Sequence, residues 1–112
     1  MSLKGKKIVV GVASSVAIYK ALELTRLFKK QGAEVHVFMT AHATELVSPQ
    51  LFQAISGNPV HHQMFDRSGN DPMPHLQVMK EADAVVLAPA TASLIGRYAT
   101  GLADDLLTTA LL

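Results

Sequence analysis

The 112 residues contain no cysteine. This excludes a disulfide framework, a thiolate metal site and a cysteine nucleophile within the stretch, and it fits a reducing compartment. An excess of charge of one sign is also missing. Ten basic residues against nine acidic ones leave a formal charge of +1, so neither a nucleic-acid surface nor an acidic partner is indicated. No segment approaches the ~18–20 apolar residues of a membrane span. Met1 to Lys7 is basic, but no apolar leader with a cleavage site accompanies it, and the cytoplasm is the expected location. No set of His, Asp and Glu has metal-ligand spacing, so no metal is expected. Repeats, low-complexity stretches and internal domain boundaries are absent as well. What is there is 49% apolar and 17% charged. That is the balance of a globular chain, long enough for one domain with one core.

The pattern alternates strand and helix. Ile8 to Val12 is a β-branched apolar run, as in a strand buried on both faces of a parallel sheet. Gly11, Ser14 and Ser15 form a small-residue turn. A helical period follows, with Ala17, Ala21, Leu24 and Phe28 on one stripe and Lys20, Glu23, Arg26 and Lys30 facing elsewhere. Gly32 stands where a helix-ending glycine belongs. Glu34 to Met39 alternates as a second strand, so Ile8 to Met39 reads as a β-α-β unit with parallel strands. Ser48 and Pro49 mark an N-cap and a first helical position, for a short helix from Pro49 to Ile55 that stops at Gly57. Val60 to His62 reads as a brief strand, and Phe65 to Pro74 as an irregular loop rich in glycine and proline. A helix from His75 to Ala82 and a strand from Ala84 to Ala88 come next. Pro89 ends that strand, and a helix starts near Thr91 or Ala92 and breaks at Gly101. Asp104 and Asp105 open a last helix, where the positive end favours acids. That helix stops at Leu112 with its apolar face unmatched, which leads us to expect a domain truncated at its C-terminus.

Ligands of such doubly wound sheets bind beyond the carboxyl ends of the strands. Three of those ends can be named. Gly11 to Val16 leads into a helix N-terminus, which suits a phosphate; the same residues also suit a plain turn with a capping serine. The three-glycine dinucleotide fingerprint is missing, and Met39-Thr40 stands where an acid would read a ribose, which argues against NAD. Thr40 suits either a ligand hydrogen bond or the cap of the next helix, and capping fits the pattern better. Pro89 to Ser93 is small enough to let a flat ring approach the backbone, or is an ordinary helix start. Among the histidines, His36 reads as structural, His61 and His62 as surface residues, and His42 as ambiguous. His75 begins a helix after the proline-rich loop. The helix end favours a neutral ring there, able to act as a base or an acceptor. A plain N-terminal helix residue fits that spacing too.

Four stretches together resemble a known family. They are Gly11 to Leu24, with Val16-Ala17-Ile18-Tyr19-Lys20-Ala21-Leu22-Glu23-Leu24; Met39-Thr40; Pro74-His75-Leu76 with Ala82-Asp83; and Ala88-Pro89-Ala90-Thr91-Ala92, continuing to Gly101-Leu102-Ala103-Asp104-Asp105-Leu106-Leu107-Thr108-Thr109. In order and spacing they are similar to the homo-oligomeric FMN-containing cysteine decarboxylases. The nearest branch is the phosphopantothenoylcysteine decarboxylase domain of bifunctional bacterial coenzyme A enzymes. The resemblance implies a Rossmann-like α/β domain of three α/β/α layers on a parallel sheet, with residues 1–112 as its FMN-binding part and the C-terminal part absent.

It also implies roles. Ser14, Ser15 and Val16 hold the FMN phosphate, Gly11 is among the cofactor-binding residues, Thr40 lies near the cofactor, Pro89, Ala90, Thr91, Ala92 and Ser93 line the flavin, and His75 is the active-site histidine. The implied substrate is 4′-phosphopantothenoylcysteine, the implied assembly a homotrimer or dodecamer, and a synthetase domain can be fused downstream. Relatives often have glycine near Ser14 and asparagine at Ser93. The family's carboxylate clamp and cysteine flap fall after residue 112, so the 112 residues alone are expected to be inactive. The alternatives are a lantibiotic-type peptidyl-cysteine decarboxylase and a non-catalytic flavoprotein subunit; His75 argues against the second. Flavin prenyltransferases share the fold, without an expected counterpart of the His75 loop.

Overall fold

The computed structural model describes residues 2–62, 74–89, 95 and 99–101, with only the backbone described at 74–76. The element order is β1 (Lys7–Val12), α1 (Ile18–Lys30), β2 (Glu34–Met39), α2 (Ala41–Leu46), α3 (Pro49–Ser56), α4 (Pro74–Glu81) and β3 (Ala84–Leu87). The strands form one sheet in the order β2-β1-β3, with both pairings parallel. The expected helices after Pro89 and at Asp104 lie outside the described residues. Gly101 is described, and its φ of 75° suits the expected break.

β1 sits in the middle because its residues tolerate burial on both faces. Ile8 through Val12 are all buried. Alternate residues serve two cores, as the two-residue period of a strand requires. Ile8, Val10 and Val12 join Val35, Val37 and Met39 of β2 against Ile18 and Ala21 of α1, Ala43 of α2 and Phe52 of α3. On the other face Val9, Ala13 and Phe38 meet Val78, Met79, Ala82 and Leu87. Helices thus cover both faces, and the expected three layers are present.

The local signals act as read at several points. Ser48 Oγ accepts from the Gln50 N–H at 3.2 Å and Pro49 opens α3. Gly57 closes that helix in the left-handed region at φ 78°. Gly32 follows α1 with φ 93°.

Two readings need correcting. The buried residues of α1 are Ile18, Ala21 and Thr25, with Leu22 and Phe28 partly buried against the same core. The apolar face is therefore rotated from the Ala17-Leu24 stripe. The cause is Thr25, fully buried with its hydroxyl donating to the Ala21 carbonyl at 2.8 Å. That bond within the helix lets a polar residue occupy the centre of the contact. His61 and His62 are half-buried, not surface residues. His61 adds a single parallel bridge to the outer edge of β2. Its N–H donates to Val37, its carbonyl accepts from Met39, and its ring stacks on Phe38 at 4.6 Å.

Candidate functional site

Parallel pairing puts all three strand ends on one edge of the sheet. The backbone binds them together there. The Thr40 N–H donates to the Val12 carbonyl at 3.0 Å, and the Ala88 N–H to the Gly11 carbonyl at 2.9 Å. The Ala13 N–H donates to the Pro89 carbonyl at 3.2 Å. The Ala88–Pro89 bond is cis. Ala13 therefore lies between Thr40 on one side and Pro89 on the other. Ala13, which carries the bond to Pro89, was not singled out in the sequence, since nothing in an alanine's side chain announces a backbone contact.

The order β2-β1-β3 also locates the switch point. The chain leaves β1 for β2 on one side, and β3 arrives on the other. In an open α/β sheet the crevice opens where the connections diverge, here between β1 and β3.

The turn leading into α1 starts directly after Ala13, which is bonded to Pro89. Ser15 organises it. Its hydroxyl accepts from the Ala17 N–H at 3.2 Å and its carbonyl from the Ile18 N–H at 3.0 Å. Ala17, the N-cap residue, brings no side-chain cap of its own, and the first turn of α1 carries no acid. Among the described residues, the positive end of this 13-residue helix therefore has no acid in its first turn. The Ser15 hydroxyl keeps its own hydrogen to donate. Ser14 is half-buried, and Val16 is 92% exposed beside it. Gly11 is buried in β1, paired to Phe38 and Leu87.

Thr40 shows the capping geometry. Its Oγ1 accepts from the Ala43 N–H at 3.1 Å, and its carbonyl from the Thr44 N–H at 3.2 Å. It is 5% exposed. The hydroxyl hydrogen is not used by the cap. β2 ends in Met39 and Thr40 with no carboxylate, consistent with the argument against NAD.

His75 is the second residue of α4. The far end of that helix is fixed at the opposite sheet edge, where Glu81 meets Lys7. The first turn therefore points toward the edge where the strands finish. The side chain of His75, and residues Ala90, Thr91, Ala92 and Ser93, lie outside what is described.

The opposite edge is charged. The Lys7 ammonium contacts Glu81 at 2.8 Å and Glu34 at 3.9 Å. The hydrogen bond from Lys7 holds the Glu81 carboxyl below its ordinary range, and the same bond raises Lys7. His36 Nε2 is 3.2 Å from Glu34, while its buried Nδ1 has no hydrogen-bond partner among the described residues. His42 is exposed in α2, 3.9 Å from Glu45. Among the described residues no group of three His, Cys, Asp or Glu could hold a metal, and no helix is long and apolar enough to cross a membrane.

The family model described as Flavoprotein matches residues 1–112. The chain belongs to this flavoprotein family. It is 47% identical over 111 residues to the Coenzyme A biosynthesis bifunctional protein CoaBC of Vibrio vulnificus (strain YJ016), covering 99% of this flavoprotein chain and 28% of that protein. Against the CoaBC of Escherichia coli (strain K12) the identity is 48% over 109 residues, with 97% and 27% covered. The flavoprotein chain thus spans under a third of the length of these relatives. A crystal structure of the FMN-dependent cysteine decarboxylase SpaF superposes with a TM-score of 0.84 at 27% identity, covering 98% of this chain and 64% of that one.

Proposed function

We infer that this chain supplies the FMN-binding part of an enzyme that decarboxylates 4′-phosphopantothenoylcysteine to 4′-phosphopantetheine in coenzyme A biosynthesis. The observation that carries the reading is the acid-free N-terminus of α1, with its serines, set beside Pro89 at the β1/β3 switch point. Identity to two CoaBC proteins along nearly the whole chain supports the pathway and the substrate. It also supports a cytoplasmic setting and a downstream synthetase domain; the resemblance to the cysteine decarboxylase family adds a homo-oligomer, trimeric or dodecameric, as part of this reading.

The residues present fit a flavin mononucleotide. Ser14 and Ser15 offer hydroxyl hydrogens, and the start of α1 offers backbone N–H groups and a positive dipole, all suited to a phosphate dianion. Thr40 can donate its hydroxyl hydrogen without giving up its cap. Pro89 to Ser93 carry no bulky side chain, so a planar ring can approach the backbone. When bound, the flavin supplies hydride acceptance and return, which no side chain here can perform. His75 is left with the proton: from the first turn of α4 it orients the cysteinyl group and exchanges a proton with it.

The test uses the full-length polypeptide. It should purify yellow, and with phosphopantothenoylcysteine it should release carbon dioxide and phosphopantetheine. His75→Asn should abolish turnover and keep the colour. A colourless protein that takes up no FMN would overturn the cofactor. An enethiol as the final product would replace the coenzyme A reading with the peptidyl-cysteine type.

A further inference from the structure

The charged cluster at the starting edge of the sheet lies far from the strand ends, yet it is built around the helix that carries His75. Lys7 holds the corner between α4 and β3 at three points. Its Nζ donates to Glu81 at 2.8 Å, its backbone N–H donates to Asp83 Oδ2 at 2.8 Å, and its carbonyl accepts from the Asp83 N–H at 2.7 Å. Glu81 is in turn held on its second oxygen by the side-chain amide of Gln77, one turn back along the helix. The Lys7 contacts with Glu81 and Asp83 join residues 74 and 76 positions apart.

α4 has eight residues, about two turns. Apart from Glu81, it meets the sheet through apolar side chains: Val78 and Met79, with Ala82 just after the helix, pack with Val9 and Phe38. Apolar contact is non-directional and opposes sliding or rotation only weakly. The directional bonds are those of Glu81 and the corner that follows it. His75 lies six residues before Glu81, about 9 Å along the axis at 1.5 Å per residue. A short rigid helix pinned at one end transmits that pin to its other end.

We propose that Lys7 and Glu81 are positioning residues for His75, setting the axial place of α4 from the opposite edge of the sheet. This rests on His75 being the active-site histidine. Both side chains are partly exposed, so the effect is bounded by what an exposed ion pair can do. That bound is a factor of roughly five.

The experiment is steady-state kinetics on the full-length enzyme with FMN bound, for Lys7→Met, Glu81→Gln, the double variant, Lys7→Arg and His75→Asn. Flavin content checks that each variant folds. Lys7→Met and Glu81→Gln should each lower kcat by up to roughly five-fold with KM nearly unchanged, and should displace the pH profile of kcat. The double variant should be no worse than either single one, because both remove the same contact. Lys7→Arg should keep the wild-type profile. Reduced thermal stability with wild-type kcat and pH profile would overturn the positioning role, as would additive losses in the double variant. If His75→Asn is inactive while Lys7→Met behaves as wild type, the positioning role alone fails. If His75→Asn keeps turnover, the assignment of His75 fails and the positioning role with it.

Discussion

Thr25 is a polar residue at the centre of an apolar contact, and its hydroxyl is satisfied by its own helix. Replacing it with valine keeps the shape and removes a bond to a carbonyl that already serves the helix. Thr25→Val should therefore change unfolding free energy by less than about 1 kcal/mol in urea titrations. Gly32 is less forgiving. Its φ is 93°, and a Cβ would lie 3.2 Å from the Lys4 Cα. Gly32→Ala should cost about 1–2 kcal/mol by the same measurement. Thr40 separates a structural role from a ligand role. Thr40→Val removes the cap of α2 and should cost about 1 kcal/mol. If the hydroxyl also touches the flavin, the variant should lose FMN affinity in fluorescence titrations while Thr40→Ser retains it. Equal FMN affinity in both would leave Thr40 as a cap alone. These three residues differ in legibility. The cap at Thr40 and the break at Gly32 were readable because the backbone demands those residue types. Thr25 was not, because a hydroxyl bonded back to residue i−4 looks the same in sequence as one facing water.

At the scale of elements, the contact between α4 and β1 carries a pH signature. Lys7 lowers Glu81, and Glu81 raises Lys7. For Glu81 the stabilisation is present above its ordinary value of 4.5 and is lost as pH falls through its lowered folded value. For Lys7 it is present below 10.5 and is lost as pH rises through its raised folded value. One contact is thus broken from either side. Glu81→Gln should lower stability around neutral pH, where the contact is fully formed, leave the acid and alkaline extremes little changed, and so flatten both outer limbs of a stability-against-pH curve; an unaltered acid limb would contradict the pairing. Burial dominates elsewhere. Phe52, fully buried between α3 and the sheet, should cost about 3–5 kcal/mol on replacement by alanine. The strands were legible to within a residue at their ends, since β-branched runs have few other uses. The brief strand expected from Val60 to His62 is reduced to a single bridge at His61, because only one residue there pairs with the edge of β2.

For the molecule as a whole, sequence pattern supplied the parallel β-α-β unit but not the neighbour on the other side of β1. Only the pairing of Ile8 with Ala84 brings Pro89 against Ala13, and with it the crevice. That central place of β1 has a consequence for biosynthesis. Its two neighbours leave the ribosome at different times. β2 is complete at Met39 and β3 only at Leu87. At ~5–20 residues per second, roughly 2–10 s separate them. During that interval the first strand has one side bonded and the other bare, and its exposed row is the apolar stretch from Ile8 to Gly11. An unpaired edge of that kind invites another chain's strand. Crowded polysomes are therefore where this fold is most open to mispairing, and the arrival of Ala84 to Leu87 both closes that hazard and builds the second wall of the crevice.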